Sequence, residues 1–119
     1  MSEPTVSVVD RDGVAVVSFS DQTALDAYNI EASKARLIDV VESQQPPNLI
    51  IDLANVMLLS SQALGFLVTL RLKAARGGVN VVLAGIRESL ADIIRLTQLD
   101  KLYTIYASSD EAAARLAPS

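Results

Sequence analysis

The chain of 119 residues contains no cysteine and no histidine. Without cysteine, disulfide bonds and thiolate chemistry are excluded. Without histidine, the chain lacks the commonest general base and the commonest ligand for transition metals. Aromatic residues make up only 4% of the sequence, so aliphatic side chains must dominate any hydrophobic core.

Long apolar runs are also missing. No run reaches the about 18 to 20 residues that a membrane-spanning helix needs, and no signal-peptide pattern opens the chain. Fourteen acidic residues outnumber ten basic ones, and the net charge of -4 argues against non-specific binding of nucleic acid. No phosphate-binding loop or dinucleotide fingerprint occurs. We therefore expect a cytoplasmic, non-enzymatic protein that binds no metal, cofactor, nucleic acid or membrane.

Strand and helix patterns alternate along a chain whose length fits one domain, residues 1–119. Two β-branched runs flank Asp12-Gly13, a strong turn signal, and predict an N-terminal β-hairpin. Continuous apolar runs at 49–53 and 79–83 are typical of buried parallel strands. The order predicts an α/β domain with a mixed, mostly parallel sheet, one antiparallel strand and about four helices. Residues 1–4 and 117–119 are expected to be frayed.

Several helix starts carry a side chain suited to capping. Asp26 precedes the first helical pattern, after a polar segment at 20–26 that is predicted to be a turn. Ser108 and Glu111 have capping-box spacing before a terminal helix, which follows a short predicted strand at 103–107. Ser60-Ser61 stands where a strand-like region gives way to a long helical pattern, and that helix is expected to end at Gly77-Gly78.

The Ser60-Ser61 pair is the candidate site. A helix N-terminus offers unpaired N–H groups and the positive end of the helix dipole, which can hold an anion or a phosphate. Loops that follow parallel strands share one edge of a sheet, so Asp26, the serines and Gly85 are expected on one rim. Nucleophilic catalysis by Ser61 would need a base, and the chain has no histidine to supply it. Two interpretations stay open: a serine that only caps the helix, and a serine that receives a phosphate.

The helix after the serines shows a narrow polar stripe, which predicts that most of its remaining surface is covered. The stripe consists of Gln62, Gly65, Thr69, Lys73 and Arg76. One of the apolar faces consists of Leu64, Val68, Leu72 and Ala75. Arg71 is expected to reach water or pair with a carboxylate. Phe66 borders the stripe, and two interpretations stay open for it: an exposed apolar residue that contacts a partner, and ordinary packing at the edge of the core.

Several segments of the chain resemble the STAS domain, the family of anti-sigma factor antagonists and of the cytoplasmic domains of sulphate transporters. The resemblance lies in residues 50–53, 56, 60–65 and 76–78. It also lies in residues 93–103, which are similar to the family's leucine-threonine-glycine-leucine-aspartate segment, with Gln98 in place of glycine. A chain of this length without a membrane segment resembles the stand-alone bacterial antagonists.

Alignment without gaps from Asp52 places the family's phosphorylated serine on Ser61. Three neighbours differ from the family motif: Ser60 stands for an aspartate, Gln62 for a second hydroxyl residue and Ala63 for a glycine. The next two motif residues, Leu64 and Gly65, match. A second family aspartate, at the start of the first helix, corresponds to Asp26. Ser60 is kept as the alternative acceptor.

The resemblance implies partner switching. The unphosphorylated protein would bind an anti-sigma factor that is also a serine kinase, phosphorylation at Ser61 would break that complex, and a serine phosphatase would restore it. The partner-binding residues implied are Asp26, Ser60, Gln62, Ala63, Gly65 and Phe66. A non-switching scaffold and a module that binds a small ligand or nucleotide are the alternatives, and we expect a monomer or weak dimer. Partner switching requires the side chain of Ser61 to be exposed.

Overall fold

The computed structural model describes residues 6–20, 23–43 and 47–116. The ends expected to be frayed, 1–4 and 117–119, lie outside these ranges. In chain order the elements are β1 (Val6–Arg11), β2 (Val14–Phe19), β3 (Thr23–Leu25), α1 (Ala27–Ser43), β4 (Asn48–Asp52), β5 (Val56–Leu59), α2 (Ser61–Gly77), β6 (Asn80–Ala84), α3 (Glu88–Leu96), α4 (Leu99–Leu102), β7 (Ile105–Tyr106) and α5 (Ser109–Leu116).

The main sheet has five strands in the order β1-β2-β4-β6-β7. Strand β1 runs antiparallel to β2, and the other neighbours are parallel. The hairpin turns at Asp12 and Gly13, which both have positive φ, as a two-residue turn matching the strand twist requires. The predicted fold class, a mostly parallel sheet with an N-terminal hairpin, is therefore confirmed.

Alternate residues of the strands serve two separate cores, since successive side chains point to opposite faces of a sheet. On one face, residues such as Val17, Ile51 and Leu83 pack with the buried sides of α1, α2 and α3. On the other face, Val16, Ile50 and Val82 pack with Ala112 and Ala113. The smaller core is thus covered by α5 alone among the described helices, while the larger one carries the long helices.

A second, two-stranded sheet was not expected. Strand β3 occupies part of the segment predicted to be a turn, and it pairs in parallel with β5, which does not join the main sheet. The strand has only three residues in a polar segment, so its sequence does not show a strand pattern. Its Leu25 is nevertheless buried, as is Leu59. The strand that leads into α2 is therefore β5, which belongs to the small sheet.

Candidate functional site

The small sheet sets the N-termini of α1 and α2 side by side. Leu25 at the end of β3 pairs with Leu59 at the end of β5. The backbone N–H of Ser60 donates to the carbonyl oxygen of Leu25 across 2.9 Å. Because Asp26 directly follows Leu25, parallel pairing brings Asp26 and Ser60 to the same edge, as the sequence predicted for these two residues.

Asp26 is the N-cap of α1, as predicted. Its Oδ1 accepts a hydrogen bond from the backbone N–H of Asn29 at 2.9 Å, and its carbonyl oxygen accepts from Ile30 N at 3.0 Å. The side chain of Asn29 donates back to the carbonyl of Ala24 at 2.7 Å, which fixes the turn between β3 and α1. The exposed carboxylate of Asp26 is thereby held at a defined position beside the start of α2.

Ser60 is the N-cap of α2. Its backbone is extended (φ -73°, ψ 165°), and its Oγ accepts from the backbone N–H of Ala63 at 3.1 Å. Its carbonyl oxygen accepts from Leu64 N at 3.0 Å, the first hydrogen bond of the helix. The residue is half-buried. The capping role therefore belongs to Ser60, and its hydroxyl is engaged within the fold.

Ser61 is the first residue of α2 and is exposed. It therefore meets the condition of partner switching that Ser61 be accessible. With Ala63 N capped by Ser60, the N–H groups of Ser61 and Gln62 are the first-turn donors that helix geometry leaves without an intrahelical acceptor. The first turn of α2 contains no acidic residue. An anion attached to Ser61 would therefore meet free donors and the positive end of the helix dipole, with no carboxylate in its own turn.

A groove of about 490 Å³ runs beside this helix start, between α1 and α2. The residues that line it are Lys34, Ile38, Gln62, Gly65, Phe66 and Thr69. The Lys34 Nζ lies 5.8 Å from the centre of the Phe66 ring and 3.1 Å from Glu31 Oε2. A methyl group added at Gly65 would meet no described atom within 4 Å beyond its own helix turn. The groove is thus open at Gly65, and its α1 wall carries Lys34, which is paired with Glu31.

Two of the predicted partner contacts are not available as surface residues. Phe66 is only 6% exposed and Ala63 is fully buried. Both side chains belong to the larger core. Helix α1 packs against α2 and covers the border of the polar stripe where Phe66 lies. The expectation that Phe66 is exposed was therefore wrong, and the alternative of packing at the edge of the core holds for it, while Ala63 presents no exposed side chain to a partner. Both residues support the site from beneath.

Most of the surface of α2 outside the polar stripe is buried or half-buried, as predicted, but two of its apolar residues are exposed. Leu72 is 53% exposed and Ala75 is exposed, while Leu64 and Val68 are half-buried. Arg71 was expected to reach water or pair with a carboxylate, and its Nε donates to the backbone carbonyl oxygen of Leu102 at 3.0 Å. The C-terminal part of this apolar face, with Leu72 and Ala75, thus remains open to solvent, while Leu64 and Val68 pack against the larger core.

Gly85 lies on a different part of the rim from the serines. It has positive φ, and a Cβ there would lie 2.9 Å from Asp52 Oδ1 and 3.2 Å from the Cβ of Ala54. Its close neighbours are thus at the end of β4, in the main sheet, while the serines follow the small sheet. Sequence reasoning instead overlooked Met57 and Leu58, which are 44% and 48% exposed just before Ser60.

The family model of the STAS domain matches residues 5–112, and the chain belongs to this family. An anti-sigma factor antagonist from Mycobacterium paratuberculosis is 30% identical, with 98% of each chain covered and a TM-score of 0.83. An anti-sigma-factor antagonist (STAS) domain protein from Planctomyces limnophilus is 19% identical, with 96% of this chain and 98% of that chain covered and a TM-score of 0.85.

The phosphorylated form of the Bacillus cell fate determinant SpoIIAA is 12% identical, with 93% of this chain and 98% of that chain covered and a TM-score of 0.72. At such identities the Planctomyces and Bacillus structures establish the shared fold alone. The family and the Mycobacterium relative establish a non-enzymatic STAS domain related to anti-sigma factor antagonists. Among the described residues, no helix has both the length and the apolar character needed to cross a membrane.

Proposed function

We propose that this protein is an anti-sigma factor antagonist that acts by partner switching at Ser61. In its unphosphorylated form it binds an anti-sigma factor that is also a serine kinase, and phosphorylation of Ser61 releases that partner. A serine phosphatase resets the cycle, and these ATP-dependent partners imply a cytoplasmic setting. The observation that carries the proposal is the exposed hydroxyl of Ser61 at the first position of α2, beside a serine that already caps the helix.

Ser61 is favoured over Ser60 as the acceptor because the two hydroxyls have different tasks. The Oγ of Ser60 holds the N–H of Ala63 at 3.1 Å in a half-buried position. A kinase would have to draw that oxygen out of the helix start, at the cost of a cap worth about 1 kcal/mol. The side chain of Ser61 requires no such rearrangement, since it is already exposed.

The phosphate acts on the complex and leaves the fold intact. It adds about -1.5 to -2 charges at pH 7, and at Ser61 that charge meets unpaired N–H groups and the dipole of α2. The folded protein should therefore tolerate it. A docked partner would lose contact area and bury a charge without a counterion at the centre of the interface, which costs binding energy.

The contact surface around Ser61 is formed by Asp26, Ser60, Gln62 and Gly65. Asp26 contributes a carboxylate fixed by its capping bonds, and Gln62 an exposed amide. Gly65 leaves open space one turn below Ser61, so a partner backbone can approach closely there. Met57 and Leu58 add exposed apolar area on the strand side of the serine, suited to the core of an interface.

The test is incubation with ATP and a histidine-kinase-like anti-sigma factor from the same organism, followed by localisation of phosphate by mass spectrometry. The proposal predicts phosphate on Ser61, none in Ser61→Ala, and undiminished phosphate on Ser61 in Ser60→Ala. Tight binding without phosphate would instead support a constitutive scaffold. If no such anti-sigma factor of that organism binds the protein or phosphorylates it, the ligand-binding alternative is favoured.

A further inference from the structure

One face of α2 has the spacing of a coiled-coil seam. Ser61, Gly65, Val68, Leu72 and Ala75 follow one another at alternating steps of four and three residues, the spacing of heptad positions a and d. All five are exposed or half-buried, with Leu72 the most prominent apolar side chain. The apolar members of this seam of five residues are Val68, which is half-buried against the larger core, and the exposed Leu72 and Ala75.

The charges beside the seam are of one sign. With Gly65 and Leu72 at position a, Arg71 falls at position g and Arg76 at position e, one on each side of the seam. Helix α2 contains three of the ten basic residues of the chain and none of its fourteen acidic residues, although the whole chain is acidic. Positions e and g select the partner of a coiled coil through their charges, so this pattern calls for carboxylates opposite.

A second copy of the chain does not fit the seam. If two α2 helices paired through it in parallel, Arg71 of one copy would face Arg76 of the other, and in an antiparallel pair with position a facing position d the two Arg71 residues would face each other. Like charges in facing e and g positions disfavour pairing. Self-association through the face of α2 is thereby disfavoured, whereas a helix with acidic flanks complements both the apolar residues of the seam and the charges beside it.

We propose that the seam of α2 binds an amphipathic helix of about two heptads from a partner protein, with apolar residues at a and d and glutamate or aspartate at e and g. The rise of about 1.5 Å per residue gives the seam a length of about 21 Å from Ser61 to Ala75. Leu72 is the anchor, with Leu102 brought to the same turn of α2 by the bond from Arg71 to its carbonyl. Gly65 and Ala75 let the partner helix approach closely.

The seam begins at Ser61, so the bound helix covers that hydroxyl at its end. A phosphate on Ser61 would face an acidic helix and weaken its binding, which extends the switch from the helix start along the whole face of α2. This regulatory step rests on the proposed function. The docking itself rests only on the spacing, exposure and charge of α2.

The direct test uses two synthetic peptides of two heptads, both with leucine at a and d, one with glutamate and the other with lysine at e and g. Binding to the full chain is measured by fluorescence anisotropy, and the contact surface by amide chemical shifts of the isotope-labelled protein. We expect the acidic peptide to bind about tenfold more tightly than the basic one, equivalent to about 1.4 kcal/mol, and to shift the amides of the seam.

Two variants and a matched control locate the contact. Leu72→Gln should weaken binding of the acidic peptide about tenfold by removing the exposed anchor. Arg76→Glu should weaken it about threefold and improve binding of the basic peptide. Arg115→Glu makes the same charge change in the last turn of α5, on the other face of the sheet, and should alter neither. Unfolding curves verify that all variants remain folded.

Any one of three outcomes would contradict helix binding at the seam. They are absence of binding at the highest soluble peptide concentration, equal affinity for both peptides, and an equal loss of affinity for the acidic peptide in Leu72→Gln and Arg115→Glu. A kinase arm separates this inference from the proposed function. If Ser61 is phosphorylated and phosphate releases the kinase, but Leu72→Gln leaves both the kinase and the acidic peptide bound as before, the switch stands and the seam is refuted.

Discussion

Two helices of this domain begin with the same pair of residues. Ser60-Ser61 opens α2 and Ser108-Ser109 opens α5, and in each pair the first serine is the cap. The Oγ of Ser60 accepts from Ala63 N and that of Ser108 from Glu111 N, both at 3.1 Å. The serine pair and its capping geometry therefore do not distinguish the proposed switch from an ordinary helix start.

The difference lies in charge and in neighbours. The first turn of α5 contains Asp110 and Glu111, whereas that of α2 contains no acidic residue. Two carboxylates already complement the dipole of α5, and Asp110 is paired with Arg11 at 2.8 Å.

A phosphate on Ser109 would meet the negative charges of Asp110 and Glu111 in its own turn, while one on Ser61 would meet a first turn without acids, with Asp26 of the neighbouring helix start as the nearby carboxylate. The two second serines also differ in burial, since Ser61 is exposed and Ser109 is half-buried. A serine in this position becomes a usable acceptor only where it is exposed, where its own helix turn contains no acidic residue, and where it borders a docking surface.

The largest expected effect is a difference between Ser61 and Ser109 in how their substitution changes the affinity for the anti-sigma factor kinase. Ser61→Asp should weaken the complex with the anti-sigma factor kinase about 100-fold, or about 2.7 kcal/mol, because it buries an unpaired charge in the interface. Ser109→Asp, the matched change on the other face of the sheet, should leave the affinity unchanged. Isothermal titration calorimetry measures both. Equal losses, or a loss confined to Ser109→Asp, would contradict the assignment of the interface.

The two caps should be equivalent in stability. Ser60→Ala and Ser108→Ala should each lower the free energy of unfolding by about 1 kcal/mol, since each removes an oxygen that satisfies a first-turn N–H. Ser61→Ala should change it by less than about 0.5 kcal/mol, as is usual for an exposed side chain. Urea denaturation followed by circular dichroism gives the three values. A larger loss for Ser61→Ala than for Ser60→Ala would reverse the roles given to the two serines.

The residue four positions after Ser61 differs from the residue four positions after Ser109. It is Gly65, beside open space, in α2 and Ala113, buried against the sheet, in α5. Gly65→Ala should raise the free energy of unfolding by about 0.5–1 kcal/mol, because alanine favours a helix interior, and should weaken kinase binding. As a control in urea denaturation, Gly85→Ala should destabilise the fold, since its backbone has positive φ and its Cβ would approach Asp52. Tighter kinase binding by Gly65→Ala would show that open space there is not used.

The smallest expected effect is electrostatic. In the free protein, Ser61→Asp should be neutral or stabilising by about 0.5 kcal/mol, because it places a carboxylate at a helix N-terminus whose first turn contains no acidic residue. Ser109→Asp should be less favourable by a similar amount, because Asp110 and Glu111 repel it. Thermal unfolding at low and high salt measures the difference, which should shrink as salt screens it. A difference of the opposite sign would show that the first-turn acids do not set phosphate tolerance.

Much of this fold could be predicted from the sequence because its signals are local. The Asp12-Gly13 turn identified the hairpin, continuous apolar runs identified the buried strands, and single side chains identified the caps at Asp26 and Ser108. The family resemblance drew attention to Ser61, and helix geometry alone gave a reason for its exposure. Such features depend on neighbours within about four residues.

The failures concern contacts between distant segments. Strand β3 escaped notice because its pairing with β5 depends on burial of Leu25 and not on a strand-like run. Phe66 was expected at the surface, since the sequence does not tell which border of the polar stripe α1 covers. Leu72 was expected to be covered for the same reason. The periodicity of a helix gives its faces, but only the packing of other elements decides which face stays open.

The central claim is that a phosphate on Ser61 breaks a complex without unfolding the domain. The most direct measurement compares protein phosphorylated at Ser61 with unphosphorylated protein, recording the Kd for the anti-sigma factor kinase and the Tm of each form. The account predicts a Kd at least about 100-fold weaker after phosphorylation and a Tm within about 4 °C. An unchanged Kd, or a weakened complex together with a collapse of the Tm, would contradict it.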